Sequence, residues 1–429
     1  MTARYEKSEE MLQRSLKTIP LGTQTFSKST TQYPLGVSPF FIERGKGSKV
    51  WDVDGNEYID FVSSLNAITL GYSDPDINTA VIEQLQKGSI FTLSHPLEIE
   101  VAEKITEMVP CAEMVRFGKN GSDATAGAVR LARAFTGRDH IAACGYHGWQ
   151  DWYIGSITRN LGVPQAVRDL THSFKYNDLK SLEDIFSQWP DQVAAVIMEP
   201  MNMFEPEDNF LDKVKELAHK NGALLIFDEI ITGFRLANGG AQELFNVTPD
   251  LATFGKGLAN GFPLSAIAGK KEIMELLSEV FFSFTYGGET LSLAASLATL
   301  NKLETEPVVA HLYRQGQKII DGVKHLLNKY EINDVLAIQG NPSWSFFIFK
   351  DLEQYSQFQI KTYILQEVFA RGILMIGTHN MSYAHSDSDL EKLLAVYDEV
   401  FNNLKQGIVE KKLEVMLNCE TLVPLFKIR

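Results

Sequence analysis

Between about residue 75 and residue 270, short apolar runs alternate with helical patterns, and this constrains the chain more than any other feature. Ala194-Ala195-Val196-Ile197-Met198, Ala223-Leu224-Leu225-Ile226-Phe227, Leu251–Phe254 and Leu264–Ala268 read as strands that bury both faces. Ile77–Gln86, Glu98–Met108, Asp123–Phe135 and Leu211–Lys220 place their apolar residues at helical spacing instead. Repeats of strand, helix and strand call for an α/β fold: a mostly parallel sheet covered by helices, with right-handed crossovers. The strand-like runs are far too short to span a bilayer.

The flanks read differently. Residues 1–74 hold a short helix from Ser8 to Leu16, then short extended runs broken at Gly45-Lys46-Gly47 and Asp54-Gly55, the pattern of a small antiparallel meander. Residues 75–305 form the large domain. From 306 to 429 helices at Val309–Lys329, Ile360–Ala370 and Ser388–Leu404 alternate with the strand-like Ser345–Phe349 and Ile373–Ile376, which predicts a smaller α+β domain. The tail after Lys411 carries no readable pattern. At 45% hydrophobic and 22% charged residues, the chain has the composition of a globular protein. A net charge of −14 argues against nucleic acid or an anionic membrane as partner. The charged N-terminus shows no secretory signal, and three scattered cysteines form no framework, so a cytoplasmic location is expected.

Four places carry candidate chemistry. Lys256 sits among glycines in Gly255-Lys256-Gly257-Leu258-Ala259-Asn260-Gly261, directly after a buried strand, where a lysine is costly unless paired or covalently used. The same residues also suit a plain turn, and they do not match a nucleotide-binding P-loop. Asp228 ends the preceding strand and so shares a sheet rim with Lys256, the edge where ligands bind in open α/β sheets. Asp228 and Glu229 point to opposite sides, so one of them alone can face a given site. Asn120-Gly121-Ser122-Asp123 opens a helix, which suits either phosphate binding or a simple cap provided by Ser122 or Asp123. Gly145-Tyr146-His147-Gly148-Trp149 offers an aromatic ring for stacking or for packing. His147 has no second histidine at ligand spacing, so no metal is indicated.

Taken in order, these stretches resemble the fold-type I pyridoxal-phosphate enzymes, and within them the class III aminotransferases. The closest likeness is to the glutamate-1-semialdehyde 2,1-aminomutases. The resemblance runs from Ile19 to about Leu404 and rests on VWDVDGNEYIDF (50–61), VRLARAFTGRDHI (129–141), GALLIFDEIITGFR (222–235), the segment 239–274 around Lys256, and TYGG (285–288). The interval of 28 residues between Asp228 and Lys256 is also the family's. The resemblance implies pyridoxal 5′-phosphate held by Lys256 as a Schiff base, with Lys256 as the proton-shifting base and Asp228 on the pyridine nitrogen. It further implies Gly121 and Ser122 on the phosphate, Tyr146 stacked on the ring, Glu199 near the site, and Thr285 reaching the phosphate of a neighbouring subunit in a homodimer.

Departures cluster around the substrate. Gly287-Gly288-Glu289-Thr290 replaces the family's usual GGNP. Lys28 falls where the aminomutase has an arginine, giving a point charge without a bidentate fork. Gly377–His385 is shorter than the aminomutase loop and lacks its glutamate. Trp149, with Trp152 and Tyr153, suits a ring-bearing substrate or packing equally. The expectation is a transaminase acting on a small-molecule amino donor and a carbonyl acceptor, with the aminomutase as the alternative. A racemase or decarboxylase, an inactive binding protein and a nucleotide binder are the remaining readings.

Overall fold

The computed structural model describes residues 3–423. The chain folds into two compact units. Of the described residues, one holds those up to Leu65, Leu70–Asp74 and those from 310 to 423; the other holds Asn66–Thr69 and Pro75–Val309.

In the first unit β1 (Ile42–Lys46), β2 (Lys49–Asp52) and β3 (Glu57–Asp60) pair antiparallel through tight turns. The second unit contributes β4 (Met114–Gly118), β5 (His140–Cys144), β6 (Thr171–Ser173), β7 (Val193–Met198), β8 (Leu224–Asp228), β9 (Leu251–Phe254) and β10 (Ser265–Gly269). The first unit then resumes with β11 (Leu336–Asn341), β12 (Trp344–Phe349), β13 (Ile373–Leu374) and β14 (Thr378–Asn380). β13 adds in parallel to β3, while β11, β12 and β14 make a separate antiparallel sheet.

The second unit is built on one sheet of order β4-β10-β9-β8-β7-β5-β6. The ladder from β9 to β6 is parallel, and β10 runs antiparallel between β9 and β4. Alternation along each strand serves two cores. Ile141, Ala195, Ile197, Leu224 and Ile226 pack with the helix Gly121–Thr136. Their neighbours Ala142, Cys144, Val196, Met198, Leu225 and Phe227 pack with Leu182, Phe186, Leu211 and Val214. Burial of both faces is why these strands read as unbroken apolar runs.

Backbone strain is concentrated where the chain first leaves the first unit. Ser63, Ser64, Leu65 and Asn66 all have positive φ, between 45° and 68°. A left-handed turn of four non-glycine residues costs roughly 1–2 kcal/mol per residue, so something must hold it.

Candidate active site

Thr285 apart, the second-unit candidates lie at the ends of its strands or in the segments that directly follow them. Asp228 is the last residue of β8 and is buried. Its Oδ2 meets Nδ1 of buried His147 at 2.7 Å, and its Oδ1 accepts from the Ile230 amide at 3.1 Å. Glu229 goes elsewhere: it accepts from Thr232 Oγ1 at 2.6 Å and from the amides of Ala241 and Gln242. The opposite orientations expected of the two neighbouring acids are thus observed.

Lys256 follows β9, opens a short 3-10 turn, is partly buried, and has φ +42°. Burial pushes its pKa below the ordinary lysine value, Asp228 and Glu199 pull it back up, and Arg235 adds to the depression. Fully buried Arg235 is itself pushed down to about 9 by desolvation, and donates to Thr69 Oγ1 at 3.3 Å. Sequence reasoning missed both Arg235 and Thr69. A cation inside the apolar stretch ITGFR was the available signal.

Glu199 comes directly after β7. Burial and the nearby charge of Asp228 raise its pKa to about 7, against the lowering influence of His147 and Lys256. A Cβ at Gly145 would lie 2.5 Å from Glu199 Oε2, so glycine is required for the carboxyl to occupy that place.

The helix from Gly121 begins at a cap different from the two considered. Asn120 is the N-cap, accepting from the Asp123 amide at 3.2 Å, and Asp123 returns the bond to the Asn120 amide at 3.0 Å. Asparagine caps as well as serine, and this frees the Ser122 hydroxyl, which accepts from the Trp149 amide at 3.2 Å. The first amides of the helix, at Gly121 and Ser122, have no carbonyl a turn earlier to bond. The Glu289 substitution belongs to this loop. Glu289 caps the helix Thr290–Thr305 and pairs with Lys119 at 2.9 Å.

Tyr146 is about half exposed and stands edge-on to Tyr153, with ring centroids 5.7 Å apart. Tyr153 is anchored through its hydroxyl to the Gly145 carbonyl at 2.7 Å. Trp149 is exposed. His147, read from sequence as packing or an unsupported ligand, is instead the partner of Asp228, and its Nε2 has no hydrogen-bond partner among the described residues. Thr285 lies in an exposed turn. Lys28 lies in the first unit, on a cavity of about 480 Å³ lined also by Tyr33, Asp60, Tyr72, Leu65 and Leu374.

A mixed sheet of this order, with a pKa-depressed lysine and an aspartate on consecutive strand ends, is the fold-type I architecture of pyridoxal-phosphate-dependent transferases. Residues 32–386 match the family model for class-III aminotransferases, and the chain belongs to that family. It is 34% identical over 410 residues to a 3-aminobutyryl-CoA aminotransferase from Cloacimonas acidaminovorans, covering 93% of this chain and 98% of the relative. It is 37% identical over 442 residues to a glutamate-1-semialdehyde 2,1-aminomutase from Syntrophomonas wolfei, covering 95% and 100%. Among solved structures, an omega-transaminase from Sphaerobacter thermophilus superposes with a TM-score of 0.84 at 28% identity, covering 93% and 98%. The FumI protein of Sphingopyxis sp. MTA144, in its PLP internal aldimine form, gives 0.88 at 26% identity, covering 96% and 100%. Membership brings pyridoxal 5′-phosphate as the cofactor and amino-group transfer between small molecules as the chemistry. No helix among the described residues is long and apolar enough to cross a membrane.

Proposed function

We propose that Lys256 anchors the cofactor and that the chain moves an amino group between two different molecules. The observation that carries this is the pairing of a desolvated lysine with a buried, histidine-backed carboxylate on neighbouring strand ends. The residues present fit the cofactor. Gly121, Ser122 and the helix start suit its phosphate, the exposed Tyr146 ring suits its face, and Asp228 suits its pyridine nitrogen. When bound, pyridoxal phosphate supplies an electron sink for the carbanion formed at the amine-bearing carbon.

The protein's part is proton handling and orientation. Desolvation favours the neutral amine of Lys256, which can then accept a proton from carbon. His147 holds the Asp228 carboxyl group in place. Glu199, close to neutrality in its pKa, can adjust its charge as the site's charge changes. Within the first unit, Lys28 lines its cavity without a carboxylate partner among the described residues, which suits an anionic group. Trp149 is exposed and available to an apolar portion.

A homodimer is part of this reading. Leu93 (82% exposed), Phe281 (78%), Ile99 and Tyr286 stand out from neighbouring segments, since Thr290 bonds the Ser89 carbonyl at 2.9 Å beside the turn that holds Thr285. An apolar face of this kind is what a second copy would cover, bringing Thr285 to the partner's phosphate site.

The test is the visible spectrum of the purified protein. A cofactor band absent from Lys256→Ala is expected, and a protein that stays colourless with added pyridoxal phosphate refutes the assignment. Bleaching of the band by an amino donor such as glutamate alone supports transfer between molecules. A band indifferent to every donor but changed by a single amino-aldehyde substrate would favour the aminomutase.

A further inference from the structure

Arg235 is buried in the second unit, in the turn-rich loop between β8 and the short helix that opens at Ala241, and the loop is built to turn it inward. Glu229 closes that loop at both ends. It accepts from Thr232 Oγ1 at 2.6 Å near the start, and from the amides of Ala241 and Gln242, at 2.8 and 3.0 Å, where the loop finishes. Between them Phe234 takes φ +60°, a left-handed conformation that costs a bulky residue roughly 1–2 kcal/mol. Burial against Phe254 of β9, with ring centroids 5.2 Å apart, holds it there. A Cβ on Gly233 would come within 2.5 Å of the Phe254 ring, so glycine is required for the loop to lie this close to β9.

The guanidinium reaches another segment of the same unit, Asn66–Thr69. Its Nη2 donates to Oγ1 of buried Thr69 at 3.3 Å. A Cβ on Gly257 would lie 2.5 Å from that same Oγ1 and 3.8 Å from the Asn66 carbonyl, and one on Gly261 would lie 2.6 Å from Ile68. Residues 66–69 therefore line the turn that follows β9, and the Thr69 hydroxyl touches both the guanidinium and the residue next to Lys256. Within the turn the Leu258 amide bonds the Gly255 carbonyl at 2.9 Å and the Asn260 amide bonds the Gly257 carbonyl at 3.4 Å. Lys256 itself sits at φ +42°, a strained conformation that persists where neighbours fix it.

We propose that Arg235 is a positioning residue for Lys256: it pins Thr69 against Gly257 and keeps its charge beside the turn, fixing the backbone from which the lysine amine is presented. This rests on Lys256 being the cofactor lysine. The charge acts in the same direction as burial, since a second cation nearby disfavours a protonated amine at Lys256. Removing the Thr69 hydroxyl breaks the link from Arg235 to Gly257 and leaves the charge in place.

The experiment compares Thr69→Val, which keeps the shape and loses the acceptor, with Thr69→Ser, and Arg235→Met with Arg235→Lys. Cofactor-free protein is mixed with pyridoxal phosphate, and the rate at which the band grows is followed as a function of pH. Thr69→Val should capture the cofactor about tenfold more slowly with the midpoint of the profile unmoved, and Thr69→Ser should recover most of that rate. Arg235→Met should move the midpoint upward by at least about 0.5 pH unit, whereas Arg235→Lys, which keeps the charge, should not. Hydrogen exchange at the amides of Leu258 and Asn260 should accelerate by about tenfold in Thr69→Val and Arg235→Met. A Thr69→Val profile that superimposes on the wild type overturns the proposal, and so does an Arg235→Met midpoint that stays in place. If Arg235→Met fails to fold, the two Thr69 variants decide alone. A wild type that gains no band refutes the Lys256 reading instead, and the exchange rates then decide whether Arg235 and Thr69 hold the turn.

Discussion

His147→Ala removes one partner of a buried, charge-assisted hydrogen bond and leaves the other in place. Asp228 would keep the Ile230 amide at 3.1 Å and Thr253 Oγ1 at 3.4 Å, neither of which replaces an imidazole at 2.7 Å. A hydrogen bond to a charged group contributes roughly 1.5–3 kcal/mol, and for a unit of this size each kcal/mol moves the melting point by about 2–4 °C. A fall of about 3–12 °C is therefore expected for His147→Ala in cofactor-free protein. Packing losses contribute as well, so the decisive quantity is the coupling. Thermal or urea unfolding of His147→Ala, Asp228→Ala and the double variant should give a coupling of at least about 1 kcal/mol. Single effects that sum to the double within about 0.5 kcal/mol would refute the pairing as an energetic unit.

Three further outcomes are expected. Buried His379 and His385 are pushed down to about 3 and about 4 by desolvation, from an ordinary 6.5. The unfolded chain then binds more protons below about pH 6.5, so stability is full above that value and is lost as pH falls toward 4. The slope should reach about 1.4 kcal/mol per pH unit per histidine, and urea unfolding of His379→Gln between pH 4.5 and 7 should recover one share of it. Glu199→Gln should abolish the part of the cofactor band's pH response centred on about 7, and an unchanged titration would assign that response elsewhere. Gly148→Ala, at φ +100° and facing Ser122 Oγ, should weaken cofactor affinity by about tenfold or more, read by titrating apo protein with pyridoxal phosphate.

Much of the large unit is legible from pattern, because β7, β8 and β9 bury both faces and the helices between them are amphipathic. β4, β5 and β6 escape notice for a physical reason. MVRFG has an exposed arginine, HIAAC opens on a histidine and ends in small residues of weak strand preference, and THS gains its strand character from pairing with β5. β14 likewise exists through β12. The cofactor candidates are found because glycines and charges at strand ends are locally improbable. His147 is passed over because its partner is 81 residues away, and the parallel ladder from β5 through β7 to β8 is what brings the two together.

The antiparallel strand β10 has a consequence for the order in which the protein can be made. β4, which leads into the Asn120–Ser122 loop, finds its sheet partner only in β10, where Gly118 pairs with Ser265. Lys256 lies on the connection just before β10. Closing so long a loop is entropically slow, and a ribosome must have released both ends before it can begin. The proposed phosphate loop and the lysine therefore come together as one of the last events of folding. Cofactor capture then reports a completed sheet, and a chain truncated before Gly269 should remain colourless however well its earlier strands have paired.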